Sequence, residues 1–386
     1  MPEGEYIERR MPDFSKSKLK TLFFFCAYLF YVTKILGEKQ HTDKKCDVGT
    51  DTHLIFSEFW KYVDAEYIFN PKKIELDPTV PKEDNPLTHY FYGICMSITP
   101  DYDREVAVLQ RIFWKFAVLQ SVRFYYFYKL FNRNRHKIWH YFFPIAIEDF
   151  YYAKLVACHG TIDIIFRECD DKLNEYEFVA DFKTGNIPID VLRGPKNLAD
   201  DTSTKLPPRF MFEIHVYGLL RALKRGCTFL DERVIRFVLD DEWQDKGGNW
   251  HKYELGKTKE EQQALDKTKR NYLTRIGASL DKWNPLENKW EKYDYSKIII
   301  GLIFLSGNPD IRNPVVVKKK FNVRSMRSVL RKINTARQVY FNRKNDKYYL
   351  VRLMKTRPEY SKYRCDNCSR NDKCLQEIEE EFRRGL

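Results

Sequence analysis

Two short apolar runs, residues 162–166 and 176–182, are dense in isoleucine, valine and phenylalanine and are bounded by polar residues. Runs of that length and composition predict buried strands, the second stopped by the turn-permitting Gly185. Residues 232–240 and 298–305 predict two further strands. Helical spacing appears elsewhere: Val106, Leu109, Ile112, Phe113 and Phe116 recur every three or four positions within 103–132, and 209–224 repeats the pattern. The apolar run 21–32, bounded by Lys20 and Lys34, predicts a buried helix, being too short to cross a bilayer. Pro71, Pro78, Pro81 and Pro86 mark 61–100 as an irregular connector, 188–208 reads as a polar loop, and the charged 241–295 shows no period. Strands alternating with helices predict an α/β fold, a mixed sheet flanked by helices. The divisions expected are 1–60 (N-terminal helices), 61–140 (a helical, aromatic insertion), 141–310 (the core, interrupted by 241–295) and 311–386 (a basic region).

Chemistry enters at the strand ends. Asp181 and Lys183, two apart, share one strand face, and Asp163 joins them if the two strands are neighbours. Two carboxylates and an ammonium suit a hard cation, a water and a scissile phosphate: Asp163 and Asp181 hold Mg²⁺ or Mn²⁺ through oxygen, and Lys183 steadies developing negative charge. The Phe182 backbone carbonyl is a further candidate ligand. An Asp-x-Lys pair alone would read as a solvated ion pair; the strand context and the Gly160-x-x-Asp163 partner favour a site.

Charge and cysteines narrow the class. The net charge is +13, yet 312–364 alone holds 17 Lys and Arg against only Asp346 and Glu359. Lys318, Lys319, Lys320, Arg324, Arg327 and Arg331 alternate with apolar residues there, as in a surface that tracks a phosphate backbone, here DNA. The run 124–128 (Phe-Tyr-Tyr-Phe-Tyr) could stack unpaired bases, but helical spacing favours core packing. Nine cysteines in an odd, uneven set argue for a reducing, intracellular compartment rather than a disulfide framework. Cys365, Cys368 and Cys374 form a tight trio that requires a fourth ligand for either zinc or a [4Fe–4S] cluster. Cys95, Cys158, Cys169 and Cys227 read as buried small hydrophobes. No P-loop is present, so a helicase motor would be a separate partner.

His159-Gly160-Thr161-Ile162-Asp163 followed by Asp181-Phe182-Lys183-Thr184-Gly185 resembles the signature of the PD-(D/E)XK nuclease superfamily, in its RecB/AddB-like iron–sulfur branch. That branch includes exonuclease V and the CRISPR-associated Cas-four nucleases. Four further matches occur in family order. His53 in Gly49-x-x-x-His53 resembles a metal-binding motif on an early helix. Glu148 resembles the acidic residue ahead of the Gly-x-x-Asp strand, where it assists metal or water. Tyr217, with Glu213 where the family has Gln, stands in the place of a Gln-x-x-x-Tyr helix that contacts DNA or orients Lys183. Ser15-x-Ser17-x-Leu19 leading to Cys26 is similar to the opening that supplies the fourth cluster ligand, with Ala27 in place of a proline and Cys46 as the other candidate.

The resemblance implies a restriction-endonuclease-like fold, a terminal region bound by a [4Fe–4S] cluster (structural zinc being the alternative) and hydrolysis of DNA phosphodiester bonds with Mg²⁺ or Mn²⁺. The substrate implied is single-stranded DNA or DNA with free ends, in repair, replication, recombination or viral processing. Two other readings stand beside it: a CRISPR adaptation nuclease working with an integrase, and a non-catalytic DNA-binding scaffold.

Overall fold

The computed structural model describes residues 13–25, 27–30, 45–100, 106–153, 156–192, 206–224, 297–321 and 323–343, with short stretches between 236 and 292. Strand β1 (Phe14–Ser15) leads into α1 (Lys16–Lys20), whose N-terminus is capped by the Ser15 hydroxyl accepting from the Lys18 N–H at 3.2 Å. The apolar run 21–32, expected as one helix, follows α1 and divides into a π-helical turn (Thr21–Phe25) and α2 (Ala27–Phe30) among the described residues. Next come α3 (Lys45–Tyr62), α4 (Ala65–Ile68), α5 (Pro86–Ile98), α6 (Ala107–Leu130) and α7 (Arg135–Phe142). The connector expected over 61–100 is therefore partly helical. Pro86 opens α5 instead of breaking it, because a first-turn N–H has no intrahelical partner to lose, and Asn85 caps the start by accepting from Leu87 at 3.0 Å.

Strands β2 (Pro144–Ala153), β3 (Cys158–Cys169) and β4 (Glu175–Lys183) come next, then α8 (Ile189–Leu192) and α9 (Pro208–Lys224). Two small hairpins, β5 (Glu242–Gln244) with β6 (Trp250–Lys252) and β7 (Asp281–Asn284) with β8 (Lys289–Lys292), stand apart from the main sheet. The chain then returns through β9 (Ile298–Phe304), β10 (Val315–Lys320) and α10 (Val323–Arg343). The strand expected at 232–240 lies outside the described residues except for Arg236, which is helical.

The main sheet is mixed, in the order β1-β3-β4-β9-β10 with β2 beside β3. Strand β2 pairs antiparallel with β3 from Pro144↔Phe166 to Ala153↔Cys158 and so occupies one edge of it. The other edge is shared. Strand β4 pairs from Cys169↔Glu175 to Ile164↔Ala180, and β1 runs parallel to β3 at Cys158 and His159, on the length β4 has left. Strand β4 then pairs parallel with β9, and β9 antiparallel with β10.

Helices cover both faces. One core gathers Phe24, Phe212, Ile214, Leu220, Leu330 and Ile333 from the N-terminal turn, α9 and α10. The other gathers Phe56, Phe59, Phe91, Phe113, Phe116 and Phe142 from α3, α5, α6 and α7. Packing within the sheet depends on glycine at its centre: a Cβ on Gly301 of β9 would fall inside the Val317 carbonyl oxygen of β10 and 2.7 Å from the Phe178 ring of β4.

Strand β3 carries one irregularity. Ile162 and Ile165 belong to the first core, Ile164 and Phe166 to the second, so the alternation slips at Asp163. On the facing strand Glu148 has φ +45°, a left-handed conformation uncommon for a side-chain-bearing residue and costing about 1–3 kcal/mol. Both distortions fall on residues singled out from the sequence. Among the described residues no helix is long and apolar enough to cross a membrane.

Candidate metal centre

The β3–β4 ladder ends at Ile164↔Ala180, and one step further, where the strands part, stand Asp163 and Asp181. The Phe182 N–H reaches across and donates to Asp163 Oδ2 at 2.8 Å. The backbone amide of Phe182 thus reaches the site. On the other side of β3, Glu148 lies between the pairs Ile147↔Ile164 and Asp149↔Ile162, level with Asp163. Helix α3 delivers His53, whose Nδ1 is 3.4 Å from Asp163 Oδ2 and 3.5 Å from Glu148 Oε1. The Phe182 ring meets the imidazole edge-on, with centroids 6.2 Å apart. One ligand atom each from His53, Glu148 and Asp163 fall within 4.8 Å of one another, so these three side chains could hold a metal ion.

An imidazole and two carboxylates form a nitrogen–oxygen donor set that suits Mn²⁺ and tolerates Mg²⁺. The electrostatics favour a cation. Burial and the Asp181 charge push the Asp163 carboxyl up to about 8, against the pull of His53 and Lys16. Burial alone would lower the His53 pKa, but its hydrogen bond to Glu148 and the charges of Asp163 and Asp181 raise it.

Asp181, which shares the Tyr217 hydroxyl with Asp163, has other partners. It is buried, accepts from the Tyr217 hydroxyl at 2.9 Å and pairs with the Lys183 ammonium. Lys16 lies 3.6 Å from its Oδ1. Burial would raise the Asp181 carboxyl, yet Lys183 and Lys16 outweigh it and hold it well below the usual carboxylate range. Of the two aspartates expected as direct ligands, the structure thus sets Asp163 in the triad and Asp181 among the lysines.

Helix α9 organises that lysine cluster. Glu213, Tyr217 and Arg221, spaced by four, line its sheet-facing side. Glu213 takes Lys16 at 3.0 Å, Lys20 at 2.7 Å and Lys183 at 3.2 Å, while Arg221 closes a bidentate pair with Glu177 at 2.8 and 2.9 Å. Tyr217 is 0% exposed, with the Lys16 ammonium 4.2 Å from its ring centroid. That burial speaks against the first of its two expected roles, contact with DNA; its hydroxyl instead meets Asp181, the partner of Lys183. Gly160 makes room for this arrangement, since a Cβ there would press on Leu220 at 3.3 Å and on Lys16 at 3.4 Å.

Lys16 and Lys20 were not singled out from the sequence. Their one local signal is a spacing of four at the start of a helix, which aligns them on one face. Their partner Glu213 is almost 200 residues away.

The other sequence-marked residues divide. Lys318 turns inward, pairing with buried Glu168 and lying 3.4 Å from the Tyr176 hydroxyl and 4.7 Å over the Phe178 ring. Arg123 shares Glu168 at 3.5 Å and stacks 3.5 Å over Phe166. This correction has a simple cause: alternation along β10 sends Lys318 and Lys319 to opposite faces, so the basic block is not one surface. Lys320 and Arg331 are exposed, whereas Met326, Val329, Leu330 and Ile333 of α10 are buried, which makes the basic–apolar alternation an amphipathic helix. The side chains of Arg324 and Arg327 lie outside the described residues, as do Cys26, Cys365, Cys368 and Cys374. Cys95, Cys158 and Cys169 are free and buried, as expected. In the aromatic run, Phe124 and Phe127 are buried, and Phe124 packs on Phe69 and Phe142.

Comparison of the chain with protein-family models, with curated proteins and with solved structures finds no match in any of the three.

Proposed function

We propose that this chain is a metal-dependent nuclease of the restriction-endonuclease-like class, hydrolysing phosphodiester bonds in single-stranded DNA or at DNA ends. The observation that carries the reading is the convergence of His53, Glu148 and Asp163 within 4.8 Å, directly across a strand junction from the Asp181–Lys183 pair. Bound at the triad, Mg²⁺ or Mn²⁺ would acidify a water and neutralise a phosphoryl oxygen. The chain supplies the rest. Asp163 and Glu148 would hold that cation through their carboxylate oxygens, and so fix where the phosphate meets it. Lys183, 21% exposed and clamped between Asp181 and Glu213, presents its ammonium to charge that develops in the transition state. Its pKa is raised, because Asp181 and Glu213 outweigh the effect of burial, so it stays protonated through the reaction. The same reading assigns Cys26, Cys365, Cys368 and Cys374 to a [4Fe–4S] cluster, with zinc as the lesser alternative. Labelled single-stranded DNA incubated with Mn²⁺ should be cut, and chelator should abolish cutting. Intact substrate in the presence of Mn²⁺ would refute the nuclease reading.

Metal affinity should depend on pH with a definite sign. A carboxyl raised to about 8 carries a proton at neutral pH, which an incoming cation must displace, and protonated His53 likewise opposes binding. Mn²⁺ affinity should therefore rise with pH by about tenfold per unit for each proton displaced, steepest where both groups are protonated, and level off above about pH 8, with proton release on binding. Isothermal titration in buffers of different ionisation enthalpy measures both quantities. A pH-independent affinity would remove Asp163 from the ligand set.

A further inference from the structure

Strand β2 lies at the sheet margin, hydrogen-bonded to β3 alone among the described strands. Its exposed positions are Glu148, Phe150 and Tyr152, while Asp149 turns inward to Lys224 at 2.6 Å and Tyr151 packs on the first core. Residues two apart share a face and stand about 7 Å from each other. Glu148, the candidate metal ligand, thus begins a row that continues as two aromatic rings, 60% exposed at Phe150 and 43% at Tyr152. A third ring joins them from β3. His159 pairs with Tyr152 in the ladder, and its centroid is 5.7 Å from Phe150 and 6.4 Å from Tyr152. The imidazole is fixed by Asp13, 2.7 Å from Nδ1.

Single exposed hydrophobics are ordinary on protein surfaces. Two exposed rings, each packed on His159 and starting two residues from a candidate metal ligand, form a surface with a direction. The rings are aromatic rather than aliphatic, so they offer π faces, and sequence-tolerant base stacking uses such faces. The row begins at the candidate metal ligand Glu148, where a phosphate would be handled. The geometry points to Phe150, Tyr152 and His159 as a stacking platform for the unpaired bases of a nucleic-acid strand whose backbone lies at the His53–Glu148–Asp163 triad. The assignment rests on the proposed nuclease function and adds its substrate selectivity: paired bases, already stacked on one another, cannot use the platform.

The test is the double variant Phe150→Ala, Tyr152→Ala, compared with Phe150→Trp, Tyr152→Trp. Both side chains are exposed, so the fold should survive, as circular dichroism would verify. Fluorescence anisotropy with a labelled oligonucleotide of about twelve nucleotides, in chelator to prevent cleavage, reads binding alone. At the lower end of what a stacked base contributes, losing two rings weakens single-strand binding about 30-fold. Duplex of the same sequence, held through its phosphates, should move little, and the tryptophan pair should bind the single strand at least as tightly as wild type. Unchanged single-strand affinity in the alanine variant, or an equal loss for single strand and duplex, overturns the platform. A wild-type chain that dimerises and becomes monomeric on substitution overturns it too, giving the rings to a second copy. Mn²⁺-dependent cleavage by wild type is scored separately, so the platform can fail while the nuclease reading stands.

Discussion

Lys183→Met should lower the rate of DNA cleavage by about 10²–10³-fold while leaving the fold and Mn²⁺ binding in place. The magnitude is that of removing one preorganised charge aimed at a developing anion, and it should appear in kcat with little change in KM. The fold should persist because each partner of Lys183 keeps another cation beside it, although the buried Asp181 Oδ2 loses its ion partner. Asp181 keeps the Tyr217 hydroxyl at 2.9 Å and Lys16 at 3.6 Å, and Glu213 keeps Lys16 at 3.0 Å and Lys20 at 2.7 Å. Single-turnover cleavage beside a Mn²⁺ titration measures both sides. Full activity in the variant would remove Lys183 from the chemistry. A parallel loss of Mn²⁺ affinity would instead assign it to holding the site together.

Glu213→Gln should cost about 3 kcal/mol of folding stability, read from the denaturation midpoint in urea. Glutamine keeps the shape and deletes the charge, leaving Lys16 and Lys183 to share Asp181 and taking away the carboxylate that Lys20 pairs with. The ammonium groups are 15–21% exposed, which places the cost at the low end for a broken buried pair. The pH dependence comes from the direction of the Glu213 shift. Burial and Asp181 push its carboxyl up, but Lys16, Lys183 and Lys20 together hold it below the ordinary glutamate value. A depressed carboxyl stabilises the fold above its unfolded pKa and loses that contribution as pH falls through its folded value. The gap between wild type and variant should therefore be full at neutral pH and shrink below about pH 4. Equal stability at neutral pH would show that the lysines do not depend on Glu213. The substitution also installs the glutamine of the resembled helix motif, so a loss of stability would mean that this chain has rebuilt the position around a negative charge.

Much of the architecture was legible because it is written in short-range pattern. The runs 162–166 and 176–182 became β3 and β4, 209–224 became α9, and 298–305 became β9, each within a few residues. The aspartates and Lys183 were legible too, since period-two alternation fixes which strand residues share a face. Pattern misled where one local signal serves two structures. Proline inside 61–100 suggested an irregular segment, but Pro86 occupies the one helical turn that tolerates it. Basic residues among apolar ones suggested a phosphate track, but Lys318 falls on the inward face of β10, where Glu168 and Arg123 make it part of a buried ion cluster.

By itself the sequence determined the mixed α/β architecture and placed the acidic and basic residues on two strands, because local periodicity decides what is buried, though Asp163 lies inside β3 and not at its end. Tertiary structure alone decided how those groups divide into a metal-capable triad on one side and a lysine cluster on the other. Lys16 meets Glu213 only because α1 packs against α9, and Glu148 meets Asp163 only because β2 pairs in one register. Contacts between residues so distant in the chain depend on register and layer packing, and no local periodicity encodes either.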